Sequence, residues 1–316
     1  MLSWQVGRVK ITRIVEMDLP VPVRAMRQAT TAELRKLVWL YPHFVGEDDT
    51  LKLSIHALLV EAPGLKLVVD TCVGNDRPRE ITGGQPLATP FLQHLGEAGW
   101  SRDAVDAVVC THLHVDHVGW NTMLEHGNWA PTFPKARYLI GRREYDFWSA
   151  YDDEEQQAML GDSVKPIFDA GLVQLVELDH VISPEIRLTP SIGHTPGHVS
   201  VMIESEGERA VITGDMAHHP CQLAHPDWSL GDNDPKAAAL TRSRLFAEWA
   251  DQKRSLSSAP TSPPPPPATS SATAQRSGLR CEGGELSAST LRFLATLAEG
   301  RHFGAANCKR QKVEGR

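Results

Sequence analysis

The 316-residue sequence has few cysteines and few aromatic residues, and it has no long hydrophobic run. Its five cysteines are widely spaced and odd in number, which argues against the disulfide framework of a small secreted protein. No stretch approaches the roughly 20 consecutive apolar residues that a membrane-spanning helix requires. Charges are scattered through the first 20 residues, where a signal peptide would have an apolar segment. These features predict a cytoplasmic protein.

Charge and composition both change near residue 252. Residues 1–252 carry 22 Lys and Arg against 35 Asp and Glu, whereas residues 253–316 carry 10 against 4. Between Ser255 and Gly278, 20 of 24 residues are Pro, Ser, Thr or Ala, a composition that cannot bury apolar surface. We therefore predict one domain at 1–252, with its core at about 50–250, and a disordered, low-complexity tail at 253–316. The acidic body argues against nucleic-acid partners, because phosphate binding requires clustered Lys and Arg.

Apolar periodicity predicts alternating strands and helices within the body. The predicted strands are 54–61, 66–70, 105–110, 137–140, 173–178, 186–188, 199–204 and 210–213, and the predicted helices are 89–98, 142–150, 152–170 and 235–250. Strands and helices in this order predict a layered α/β domain.

Metal-binding side chains are concentrated directly after the predicted strand 105–110. His112, His114, Asp116 and His117 lie within six residues. The carboxyl end of a strand is where α/β sheets place their ligands, and imidazole with carboxylate suits Zn²⁺ or a similar divalent ion. The sequence therefore predicts a metal site here.

Two later segments extend this pattern. The loop 193–198 (GHTPGH) contains two histidines and precedes a strand, and Asp215 follows the next strand. A loop histidine or an aspartate at the end of a strand is usually a surface residue when it occurs alone. Their occurrence after the histidine cluster favours a metal-binding role for both segments.

The strings HLHVDHVG, GHTPGHVS, ITGDM and VVDTCVGND resemble those of the metallo-β-lactamase-fold hydrolases over about residues 50–250. HVGWN, PTFPKARYLIGRREYDFW and HHPCQLAHPDW are similar to the lactonase and organophosphate-hydrolase-like branch. The resemblance implies an αββα sandwich, a four-layer α/β fold, with two zinc ions at one edge of the sheets.

The resemblance also implies a role for each residue of the motifs. His112, His114 and His198 would hold the first zinc, Asp116 and His117 the second, and Asp215 would bridge the two. A metal-bound hydroxide would attack a lactone or other ester carbonyl, or a phosphoester, of a small-molecule substrate. Asp116 would orient that hydroxide and protonate the leaving oxygen. Asp70 would orient the metal loop without binding metal. Segment 24–36 is a candidate lid or homodimer contact.

The chain departs from the family pattern in two places. Lactonases of this family have a tyrosine shortly after the bridging aspartate, where this chain has Met216, Ala217 and His218. The last histidine of the second zinc site is absent, because the expected string T-H-F-x-x-P-T-A-G is replaced by the Pro-rich tail. The second zinc site is therefore in doubt. His218 and His219 are candidate substitutes or substrate contacts, and Trp120 is a candidate wall of the substrate pocket.

A shifted reading frame near residues 252–254 is one explanation for the tail. Read one base out of frame, the codons of residues 259–271 permit T-H-F-A-A-P-T-A-G-H-V-V, which matches the missing segment in order and spacing. The alternative is a genuine disordered extension.

Three functions remain open at the level of sequence. The first is a zinc-dependent hydrolase, and the second is a catalytically impaired metal-binding remnant that lacks the last histidine of the second site. The third is a mononuclear iron persulfide-type dioxygenase, which uses the same loop with fewer ligands. Oxygen uptake with a persulfide would separate the third from hydrolysis.

Elemental analysis of the purified 316-residue chain tests the second zinc site. Near two zinc ions per chain would mean that a substitute ligand completes it, and the remnant hypothesis would then fail. We expect one or none, because the second site retains only two aspartates and one histidine.

Overall fold

The computed structural model describes residues 1–256, 279–281 and 284–286. The predicted tail at 253–316, including the segment that a shifted frame would restore, lies almost wholly outside these residues. No helix within the described ranges is both long and apolar enough to cross a membrane.

Short strands and helices alternate along the chain. The strands are β1 Leu2–Val6, β2 Val9–Pro22, β3 Thr50–Ala62, β4 Leu65–Val69, β5 Ala107–Cys110, β6 Thr122–Glu125, β7 Asn128–Pro131, β8 Arg137–Gly141, β9 Val173–Val176, β10 Val181–Ser183, β11 Ile186–Pro190, β12 Val199–Ser205, β13 Glu208–Ile212, β14 Leu279–Cys281 and β15 Gly284–Leu286. The α-helices are α1 Thr31–Lys36, α2 Phe91–Glu97, α3 Arg142–Ser149, α4 Glu154–Met159, α5 Lys165–Asp169, α6 Cys221–Ala224 and α7 Pro235–Leu256.

Two sheets form the centre of the domain. The larger has the strand order β1-β2-β3-β4-β5-β8-β9, and the smaller has the order β10-β11-β12-β13. The larger sheet is antiparallel from β1 to β4 and parallel from β4 to β9, whereas the smaller is antiparallel throughout. Short pairs β6–β7 and β14–β15 complete the pairing among the described residues.

The larger sheet buries both of its faces. Leu59 and Val108 belong to a core shared with Phe91 of α2 and Trp148 of α3. Their chain neighbours Val60 and Val109 face the smaller sheet and pack in a second core, which includes strand β12. Alternate side chains of one strand therefore serve different cores, because successive residues of a strand point to opposite faces. Helix α7 lies beyond the smaller sheet, where Thr241 donates to the carbonyl of Ile192 at 2.6 Å. The predicted αββα layering is confirmed.

A third core joins the segment between β2 and β3 to the chain around α6. Leu34 of α1, Leu40 and Phe44 pack there with Cys221 and Trp228. The segment 24–36, predicted as a lid or dimer contact, thus packs partly against its own domain. This core positions the ends of β2 and β3 beside the predicted metal site.

The loops after β4 and β5 are docked backbone to backbone. Gly119 N donates to the carbonyl of Cys72, and Trp120 N donates to that of Thr71, each at 2.7 Å. A Cβ added at Gly119 would lie 1.7 Å from the carbonyl oxygen of Val73. Only glycine permits this approach, which holds the histidine loop against the end of β4.

Substituting Gly119→Ala is expected to lower the free energy of unfolding by about 3 kcal/mol or more, because the added methyl group would force the two loops apart. Gly96→Ala is the matched control, since a Cβ there meets nothing within 4 Å and Gly96 lies in α2. We expect the control to be neutral or slightly stabilising. Chemical denaturation measures both, and equal stabilities would contradict the steric argument.

Candidate metal centre

The segments that carry the predicted metal ligands meet at one edge of the two sheets. The first follows β5 and contains residues 111–117, and the second is the β11–β12 connection, which contains His194 and His198. The third is a short 3-10 turn, Gly214–Met216, directly after β13. Sequence segments about 100 residues apart are therefore neighbours.

Four side chains form a first donor group: His112, His114, His194 and Asp215, whose ligand atoms all lie within 4.8 Å of one another. The Nδ1 atom of His114 is 3.0 Å from Nε2 of His112 and 3.0 Å from Nε2 of His194. Oδ2 of Asp215 is 3.6 Å from Nε2 of His194 and 3.9 Å from Nε2 of His112. Tetrahedral zinc with bonds of about 2.0–2.1 Å requires ligand atoms about 3.3 Å apart. Both the spacing and the nitrogen and oxygen donors fit this ion.

Asp116, His117 and Asp215 form a second donor group. Nε2 of His117 lies 3.6 Å from Oδ2 of Asp116 and 3.3 Å from Oδ2 of Asp215. Asp215 is thus common to both groups. Within the described ranges this second group has three members, one fewer than tetrahedral zinc usually takes.

The expected ligand set is corrected at one position, because His194 and not His198 belongs to the first group. Nδ1 of His198 lies 2.7 Å from the hydroxyl of Ser191, which also accepts from Ser200. Nε2 of His198 faces Gly214, where an added Cβ would lie 2.9 Å away. His198 therefore packs beneath the turn that carries Asp215, while His194 projects from the same loop towards His114.

Asp70 lies beside the histidine loop and contacts it at three points. Oδ1 accepts from the backbone N–H of Thr111, and Oδ2 accepts from the Thr111 hydroxyl, each at 2.8 Å. Oδ2 also lies 2.9 Å from Nδ1 of His117, which leaves Nε2 of that ring facing Asp116 and Asp215. A carboxylate in this position fixes the ring orientation of a ligating histidine.

A second orienting carboxylate, Asp232, was not identified from the sequence. Its Oδ1 lies 3.2 Å from Nδ1 of His194, and its Oδ2 accepts from Arg242 of α7 at 3.0 Å. Burial opposes ionisation, but bonds from His194 and Arg242 lower the pKa of Asp232 to about 2. The ionised carboxylate directs Nε2 of His194 towards the first donor group.

Burial and neighbouring charges determine the protonation of the cluster. Burial lowers the pKa of His112 and of His114 well below the usual value, so both present neutral imidazoles. Burial opposes the charged form of His117, but Asp215 and the other nearby carboxylates raise its pKa well above the ordinary range. Burial would also raise the pKa of Asp215, yet His117 and His218 lower it well below its usual value.

The three remaining candidates differ in their placement. Nε2 of His218 lies 3.2 Å from Oδ2 of Asp215, so His218 is at the cluster. His219 is bound elsewhere: its Nε2 is 2.9 Å from the carbonyl of Phe44, and burial lowers its pKa to about 4. The candidate role of His219 as a substitute ligand is therefore corrected.

Trp120 is also corrected, because it does not line the cavity. Its ring stacks on Phe91 at 5.0 Å in the core beneath the larger sheet. Its indole N–H donates to Glu16 at 2.6 Å. Trp120 does lie next to the metal loop, as its place in the sequence indicates, but its side chain points into the core that the helices cover.

A cavity of about 330 Å³ opens over the two donor groups. Its lining includes the site residues His114, Asp116, His117, His194, Asp215 and His218. It also includes the apolar side chains of Leu19, Val21, Leu53, Ile55, Ile81 and Leu230, together with Ser54 and His56. Within the described part of the chain, no lysine or arginine lines this cavity.

Residues 51–281 match the family model described as the metallo-beta-lactamase superfamily. An N-acyl homoserine lactonase of Bacillus thuringiensis is 26% identical over 151 residues, which are 48% of this chain and 54% of the relative. Another from a Bacillus species is 30% identical over 118 residues, which are 37% of this chain and 40% of the relative. The chain spans about half the length of the curated relatives it matches.

Solved structures share the fold. Hydrolase AbOPH of the beta lactamase superfamily superposes with a TM-score of 0.65 at 25% identity, over 79% of this chain and 86% of its own. AidC, a dizinc quorum-quenching lactonase, superposes with a TM-score of 0.66 at 21% identity, over 80% of this chain and 87% of its own. At this identity the likeness to AidC concerns the fold alone.

The variants His194→Gln and His198→Gln separate the two histidines of the β11–β12 loop. Loss of His194 removes a donor of the first group, so zinc affinity should fall by more than the roughly 10–100-fold that loss of an outer partner costs. His198→Gln should lower the melting temperature and keep the affinity, because His198 contacts Ser191 and no donor atom of the group. Chelator competition measures the affinity. A larger loss from His198→Gln would restore the sequence-based assignment.

Proposed function

Since the chain belongs to the metallo-beta-lactamase superfamily, we propose that it is a zinc-dependent hydrolase that opens a lactone or another uncharged ester. The observation that carries this proposal is the pair of donor groups that share Asp215, which lines a cavity. The curated relatives are lactonases, which supports the same class of substrate.

His112, His114, His194 and Asp215 would hold the first zinc ion, and Asp116, His117 and Asp215 would hold a second. Bound zinc supplies Lewis acidity and lowers the pKa of water. The two adjacent donor groups favour a hydrolase over a mononuclear iron dioxygenase. A dioxygenase with a single iron ion does not need the second donor group, which contains Asp116 and His117.

Asp116 is the proposed proton carrier. Burial raises the pKa of its carboxyl, so Oδ2 can hold a proton more readily than an exposed aspartate. In the proposed reaction Asp116 would orient the attacking water and take a proton from it as the water oxygen bonds to the carbonyl carbon. It would then pass that proton to the leaving alkoxide as the ester C–O bond breaks. His218 lines the same cavity as Asp215, with its Nε2 3.2 Å from Oδ2 of Asp215, and would contact a bound substrate.

The apolar lining of the cavity would bind the substituent of the ester. Leu19, Val21 and Leu53 belong to the strands β2 and β3, whose ends the third core positions. Without a lysine or arginine among the described lining residues, a charged group placed against this wall would lose its hydration and find no partner. The cavity therefore favours an uncharged, apolar substituent.

A metal-binding remnant is the second candidate. The three-membered second donor group favours it, because a second ion held by three protein groups would be bound weakly. One zinc ion per chain without turnover of any lactone or ester would support this candidate.

A matched pair of lactones tests the proposal. We expect the zinc-loaded protein to open a lactone that carries an alkyl arm with a kcat/KM at least about tenfold above that for the same lactone with a carboxylate at the end of the arm. Leu53→Lys should narrow the difference, because it places a cation beside the arm. Equal rates on both lactones would contradict the assigned role of the wall. No turnover of either lactone by the zinc-loaded chain would contradict the hydrolase itself.

A further inference from the structure

We propose that Glu144 is a positioning residue that fixes the distance between the two loops that carry the first donor group. This inference rests on the proposed metal centre. Glu144 lies in the first turn of α3, and only 1% of its surface is exposed. A buried carboxylate is costly unless donors surround it. Burial raises the pKa of Glu144, and hydrogen bonds from Leu113, Thr195, Trp148 and Gly197 oppose that rise.

One carboxylate oxygen holds the histidine loop after β5. Oε1 of Glu144 accepts from the backbone N–H of Leu113 at 3.0 Å. Leu113 stands between His112 and His114, so this bond fixes the peptide that separates the two ligands. The same oxygen accepts from Nε1 of Trp148 at 2.7 Å, and the indole contacts the ring of His114 edge-on at 5.2 Å.

The other oxygen holds the loop between β11 and β12. Oε2 of Glu144 accepts from the Thr195 hydroxyl and from the backbone N–H of Gly197, each at 2.8 Å. Thr195 directly follows the ligand His194. A Cβ added at Gly197 would lie 2.3 Å from the backbone nitrogen of Glu144, so glycine is required for this approach.

The two loops belong to different sheets. The histidine loop leaves β5 of the larger sheet, and the second loop joins β11 to β12 of the smaller sheet. A single carboxylate that bonds to both loops therefore determines how far His194 stands from His112 and His114. Zinc requires donor distances within a few tenths of an ångström, so this spacing should control affinity.

Glu16 is a matched internal control. It is a partly buried carboxylate and accepts from Val73 N at 2.8 Å, Gly74 N at 3.3 Å, the Thr89 hydroxyl at 3.2 Å and the Trp120 indole at 2.6 Å. Both carboxylates thus accept from two backbone N–H groups, one threonine hydroxyl and one indole N–H. None of the donors of Glu16, however, lies between His112 and His117 or in the β11–β12 loop, since Trp120 follows His117 by three residues.

The experiment compares Glu144→Gln and Thr195→Val with Glu16→Gln and Thr89→Val in the full chain. Chelator competition gives the affinity for the first equivalent of zinc, and the visible spectrum of the cobalt-loaded protein reports its coordination. Thermal unfolding without metal gives the structural cost of each change. We expect Glu144→Gln to lower the affinity by about 10–100-fold and to alter the cobalt spectrum. Thr195→Val should act in the same direction and more weakly.

The Glu16 and Thr89 variants should lower the melting temperature and keep the affinity within about twofold, well short of the loss typical of an outer partner of a metal ligand. Unchanged affinity in both Glu144→Gln and Thr195→Val would overturn the proposal, as would an equal loss in Glu16→Gln. If Glu144→Gln does not fold, Thr195→Val still tests the contact. A wild-type chain that binds no zinc would instead overturn the proposed metal centre, so the two failures are distinguishable.

Discussion

The carboxylate of Asp215 is the element on which both donor groups depend. Its Oδ2 lies between 3.2 and 3.9 Å from Nε2 of His112, His117, His194 and His218. A buried carboxylate needs such partners, because its desolvation is otherwise unfavourable. The turn beneath it is equally constrained, since Gly214 has a positive φ of 52° and a Cβ there would meet Thr111 at 2.8 Å.

Three further buried carboxylates arrange the ligands around Asp215, and each comes from a different layer of the fold. Asp70 follows β4, Glu144 lies on α3, and Asp232 precedes α7. Each accepts bonds from a ligand or from its loop. The donor geometry therefore depends on elements from both helical layers as well as on the sheets that carry the ligand loops.

Local sequence predicted the part of the centre that depends on short-range order. The six residues from His112 to His117 follow a strand, and strand ends are recognisable from apolar periodicity. The sequence did not distinguish the ligand His194 from its neighbour His198, because the two histidines lie four residues apart in one loop. The buried Ser191 and Ser200 that receive His198 were the available signal, since buried hydroxyls need polar partners.

Two of the supporting carboxylates, Glu144 and Asp232, could not be identified in the same way, whereas the resemblance to the family already implied the role of Asp70. Glu144 lies in the segment RREYDFWS, whose charged residues predict that it is exposed to solvent on a helix face. Its burial arises from two loops that are distant in sequence, so no local pattern encodes it. Asp232 meets His194 across 38 residues for the same reason. The helix predicted at 152–170 divides into α4, a π-helical turn at Leu160–Val164 and α5, whose second residue is Pro166.

The N-terminal hairpin β1–β2 closes against the far end of the domain. The backbone N–H of Gly7 donates to the carboxylate of Glu208, which lies 201 residues later in the sequence. The backbone N–H of Arg8 donates to the hydroxyl of Ser205, which lies 197 residues later. Contacts of such separation form slowly, because the intervening chain must first be ordered. The strands β1, β2 and β3 can pair with one another early in synthesis, but residues 205–208 leave the ribosome about 200 residues after the β1–β2 turn that they contact. Production of this protein should therefore depend on the speed of synthesis and on chaperones more than its final stability suggests.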